Sequence, residues 1–159
     1  GFSVQLPQVY VRDPNADGGS VYAQAGVNAR FEAEYQHRVL ARPMGGVSVE
    51  SAYGEVHATG GVEVLSDRDA VLVWVGKDAL PDLGDAELVP LVTAFDETQF
   101  AHVRPVEAEA SQWAFGGGRD DDLNPNVLDL VTPDGLSRAE ALAYDDEELA
   151  TIPFLDVSE

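Results

Sequence analysis

Apolar and polar residues alternate along most of this chain. Between Ala29 and Val39 every odd position is apolar or aromatic except His37, and every even position is charged or an amide. A period of two sends successive side chains to opposite faces, so this stretch predicts one long, half-buried strand. Val21 to Val27 and Val47 to Tyr53 repeat the pattern, and Val62 to Val64 gives a shorter piece. Ala70 to Val75 is apolar throughout, which predicts a strand covered on both faces. Val4 with Leu6 and Val9 with Val11 predict two short strands split by Pro7, which cannot donate to a ladder and belongs at an edge or bend. Leu88 to Phe95, Thr98 to Val103 and Val106 to Ala110 complete the series. Glycine and proline turns separate the segments, among them Asp17-Gly18-Gly19, Gly60-Gly61 and Gly116-Gly117-Gly118. About eight to ten strands at this spacing predict an all-β fold, an antiparallel, jelly-roll-like β-sandwich.

The last quarter changes character. Ser137 followed three residues later by Glu140 is a capping box, predicting a short helix through Ala139, Leu142 and Ala143 that ends near Tyr144. The acids Asp145 to Glu148 suit the start of a second turn, not the end of a helix. The expected organisation is therefore a β-sandwich domain over residues 1–119 and an acidic extension over 120–159, which packs on that domain or on a neighbour. The apolar tail Ile152-Pro153-Phe154-Leu155 stands out in its acidic surroundings.

Charge alters the picture most. The 159 residues carry 29 acids against 9 bases, a formal net charge of −20. A magnitude of about 2–8 suffices to keep a small domain dissolved. Such a surface makes physical sense in multimolar salt, where the Debye length shrinks to about 3 Å and carboxylate repulsion is screened. The composition therefore predicts a protein of a salt-loving organism. The charge is also uneven. Residues 1–49 hold four acids and four arginines and are neutral, residues 50–119 carry a net −9, and residues 120–159 a net −11. The neutral third is expected to face a protein partner or to supply central strands. Polyanionic character argues against a nucleic-acid backbone as ligand. There is no run of roughly 18 apolar residues and no signal-peptide pattern, so neither a membrane span nor secretion by leader is expected. The absence of cysteine excludes disulfides and thiolate chemistry.

Two oxygen-rich loops are candidate cation sites. Asp13, Asn15 and Asp17 followed by Gly18 match the first half of a calcium loop, although Gln24 stands where a bidentate acid belongs. Asp120, Asp122 and Asn124 lie in a run of adjacent carboxylates that a hard cation would neutralise. No cofactor is expected beyond Ca²⁺ or monovalent cations at these loops. His37, His57 and His102 each sit in a strand-like segment, and three imidazoles on one face would hold a transition metal. Trp74 and Trp113 have rings able to stack a sugar, but both alternate into apolar faces and are expected in the core. No nucleophile elbow, phosphate loop or helical metal motif is present.

These features lead to a non-enzymatic structural subunit, a capsid protein of a virus infecting a salt-loving archaeon. It would be made in the host cytoplasm, be located in the virion, and self-assemble or bind other virion proteins. Phe2, Val4, Leu6, Arg12, Ile152, Phe154 and Leu155 are its expected partner contacts. The alternative is a cupin-like β-barrel enzyme or small-molecule binder built on the three histidines. A further alternative is a calcium-dependent surface or adhesion module using Asp13, Asn15 and Asp17.

Overall fold

The computed structural model describes residues 5–43, 46–80, 83–97 and 102–157. Two sheets face one another. The larger runs in the order β10 (Asp129–Leu130), β8 (Glu87–Phe95), β1 (Gln5–Arg12), β4 (His37–Arg42), β5 (Gly46–Ser51), β6 (Val56–Leu65) and β7 (Ala70–Val75). The short β9 (Val103–Arg104) and β12 (Leu155–Asp156) also pair with β8. The smaller sheet places β3 (Ala29–Tyr35) between β2 (Ser20–Tyr22) and β11 (Ala150–Ile152). All pairings within the large sheet are antiparallel, and β11 lies parallel to β3. The β-sandwich expected from alternation is the fold observed.

The strand expected from Ala29 to Val39 is two strands in two different sheets. The chain turns at Gln36, whose side chain accepts from Asp13 N and donates to Gly18 O, while its backbone bonds Val11 O and Ala52 N. Strands that change sheets at a bend form the corners of such sandwiches. Alternation runs through the bend with only His37 departing from it, and Arg38 and Val39 keep the parity, so the pattern alone does not mark the bend. Pro7 likewise lies inside one continuous strand. It sits opposite Val92 of β8, but the register with β4 begins only at Gln8, so the missing N–H falls where no partner stands.

Between the sheets an aromatic cluster forms the main core. Tyr10 lies 4.6 Å from Phe31 and 4.8 Å from Tyr35 in tilted and edge-to-face arrangements, and Phe154 packs 5.6 Å from Phe31. Val27, Val89, Leu91 and Ile152 complete it. The other face of the large sheet curls around Val11, Val39, Ala41, Val47 and Val49, roofed by Ala79, Leu80 and Ala86 from the β7–β8 connection.

The expected strand over Val106 to Ala110 is reduced to one bridge, Val106 to Phe115. Most of the Thr98 to Val103 segment lies outside the described residues. Helix α1 (Arg138–Ala141) begins at the expected capping box but makes only one turn. Asp145 then accepts from the amides of Glu147 and Glu148, opening the second turn expected there. No helix among the described residues is long and apolar enough to cross a membrane.

Candidate functional site

Residues 105–126 form a long irregular excursion beside the small sheet, and three asparagines hold it in place. Asn28, in a left-handed conformation (φ 55°), donates to the carbonyls of Asp122 and Asn124 at 3.2 Å. Asn124 donates to Val106 O at 2.6 Å and accepts from Arg119 N and the Tyr144 hydroxyl. Asn126 accepts from Val106 N and donates to Gly26 O, both at 2.8 Å. Both Asn124 and Asn126 are buried, and their bonds satisfy backbone groups that strand pairing does not reach.

These clamps shape an open cleft of about 650 Å³, lined mainly by Asn28, Glu107, Arg119, Asp120, Asp122 and Asn126. At one wall Arg119 stacks over the Tyr144 ring at 4.8 Å and pairs with Asp121 at 3.3 Å and Asp146 at 3.0 Å. Carboxylates and a guanidinium around a wide cavity give planar groups able to engage hydroxyls in pairs. Asp120 caps Ala108 N at 2.8 Å and Asn124 is committed as described, whereas Asp122 is exposed.

The other oxygen-rich loop is an Asx turn. Asp13 Oδ1 accepts from Asn15 N at 2.9 Å, and the side chains of Asn15 and Asp17 lie exposed. No group of three or more His, Asp or Glu among the described residues is arranged to hold a metal. The histidines divide. His37 and His57 lie 5.1 Å apart on the curled face, where burial first and the neighbouring His57 second lower the pKa of His37. His102 stands on the opposite face beside Phe95, in a cleft with Arg38 and Arg42.

The arginines of the neutral third are paired within the chain. Arg12 pairs with Glu87, and Arg30 with Glu148 at 3.5 Å. Arg38 and Arg42 both bind Glu50, which is 3% exposed and also accepts from Ser48 Oγ at 2.8 Å. Gln8 extends this buried network, accepting from Arg38 and the Tyr10 hydroxyl and donating to Thr93 Oγ1. Burial alone would raise the pKa of Glu50, but the hydrogen bond and charge of Arg38, with Ser48 and Arg42, hold it below the usual carboxylate range.

The tail packs on its own domain. Ile152 and Phe154 fill the main core, Leu155 is half-buried in β12, and Leu6 is buried with Leu40 and Val103. Phe2 and Val4 lie outside the described residues. Trp74 and Trp113, expected in the core, are 50% and 55% exposed, and Ala70 to Val75, expected to be covered on both faces, is the outer strand of its sheet.

The sequence carries no sign of Asn28, and Asn126 lies at the end of the oxygen-rich stretch without being one of its expected ligands. The only signal was Asn124-Pro125-Asn126, two amides flanking a proline.

The chain matches, over residues 1–154, the family model of the C-terminal binding module, SLH-like, of glucodextranase. No curated protein matches it. The match overturns the expectation of a capsid protein located in a virion. Its physical supports also fall, because the arginines of the neutral third are paired with acids elsewhere in the same chain and the apolar tail packs into the chain's own core.

Proposed function

The chain belongs to the family of SLH-like C-terminal binding modules of glucodextranase, and from that premise we propose that it is a non-catalytic module attaching its protein to polysaccharide at a cell surface in a high-salt medium. The family match, extending over nearly the whole chain, is the observation that carries this reading. The cleft between Asn28, Glu107, Arg119 and Asp122 supports it with chemistry suited to a polyhydroxylated, uncharged ligand. Its volume falls within the range of about 300–1,000 Å³ usual for ligand sites. The exposed carboxylates of Glu107 and Asp122 accept and the Arg119 guanidinium donates, matching vicinal hydroxyls.

Affinity electrophoresis through gels containing neutral glucans, run in molar salt, tests the proposal. Retardation is expected, and it should diminish in Asp122→Ala and Arg119→Ala while the circular dichroism stays that of the parent. Free migration through every neutral polymer, or retardation indifferent to both substitutions, speaks against the assignment of this cleft.

A further inference from the structure

The smaller cleft beside His102 encloses about 180 Å³ and shares no residue with the cleft of the 105–126 excursion. Its lining is divided by chemistry. Leu6, Leu40 and Phe95 belong to one apolar cluster, whereas Arg38, Arg42 and His102 are bases. Residues 38, 40 and 42 alternate onto one face of β4, so the strand itself sets a leucine between two guanidinium groups. The charges there do not balance. Arg38 and Arg42 share one carboxylate, Glu50, and no other acid among the described residues pairs with either, in a chain that holds 29. Donors are also left over. A guanidinium carries five N–H groups, yet Arg38 donates only to Gln8 and Glu50, and Arg42 only to Ser48 and Glu50. Arg38 Nε is buried and has no partner among the described residues. Proteins seldom retain a buried, unpaired donor on a surplus positive charge unless an acceptor meets it. His102, held at a left-handed φ of 60° beside the Phe95 ring, brings a further N–H in either protonation state.

We propose that this cavity binds a small organic carboxylate, its charged end between Arg38 and Arg42 and its body of a few carbons on Leu6, Leu40 and Phe95. The ligand's carboxylate accepts from the N–H groups that Glu50 leaves free and supplies the second negative charge that two guanidinium groups require. A bare halide meets the charge but leaves the apolar floor uncovered, and an uncharged molecule does the reverse. The volume is below the range of about 300–1,000 Å³ usual for ligand sites, which suits a short acid and not a segment of polysaccharide. The site is therefore separate from attachment to a glucan and does not depend on it.

Titration of the full chain with potassium butyrate, replacing KCl at constant ionic strength and followed by amide NMR, tests the proposal. Saturable shifts are expected at Ala25, Leu40 and Arg42, all of which line the cavity, and neither potassium bromide nor butanol should reproduce them. Ala25→Phe narrows the cavity from an exposed position, and Arg42→Gln removes one charge while leaving Arg38 on Glu50. Each should raise the half-saturating butyrate concentration about tenfold or more, in a protein whose circular dichroism is that of the parent. Shifts that never saturate, that bromide or butanol matches, or that persist unchanged in Arg42→Gln overturn the proposal.

Discussion

The middle of the large sheet and its outer edge invert the usual placement of residue types. Strands β4 and β5 bury charge, with Arg38 and Glu50 joined to the half-buried Arg42, whereas β7 exposes Val71, Leu72 and Trp74. The central charges are acceptable because each carboxylate oxygen meets a donor, with Ser48 and Gln8 satisfying much of the remainder. Among the described residues the apolar edge has no such completion. Burial of a polar group therefore says little about function when its partners lie in the same chain, and exposure of an apolar strand says more.

Breaking the central network should give the largest effect. Glu50→Ala leaves two arginines facing each other without a counter-charge, and a loss of roughly 3–5 kcal/mol is expected in denaturant unfolding. Acid should produce part of the same loss. Glu50 has a folded pKa below the 4.5 of its unfolded state, so its contribution is complete above that value and disappears as the pH falls through the lower, folded one. The acid limb of the stability profile should flatten in Glu50→Gln. At the edge, the hairpin itself is the weaker point. A Cβ on Gly60 would meet the Trp74 carbonyl at 2.0 Å, so Gly60→Ala should cost about 1–3 kcal/mol, read from the same unfolding curves. Trp74→Ala should move stability least, by about 0.5 kcal/mol or less in those curves.

Alternation made the sandwich legible because each half-buried strand carries its own record of inside and outside. Gln36 defeated it, since a strand can change sheets without changing parity. Ala70 to Val75 was misread for a different reason: a run apolar on both sides signals cover without saying who supplies it. The arginines misled because Glu50, Glu87 and Glu148 are brought to them by folding, from 8 to 118 positions away. The cleft was half legible. Asp120, Asp122 and Asn124 drew attention as a cluster of oxygens, but the clamps made by Asn28 and Asn126 join segments about a hundred residues apart and leave no local pattern.

The parallel strand β11 also sets a clock on biosynthesis. It delivers Ile152 alongside Phe31, and Phe154 N then bonds Glu32 Oε1 from 122 positions away. The small sheet therefore cannot close, nor the aromatic cluster lose its last water, until the ribosome has released residue 154. Until then Phe31 lacks the cover of Ile152 and Phe154, and a chain interrupted anywhere before β11 presents that side of its core to chaperones and proteases.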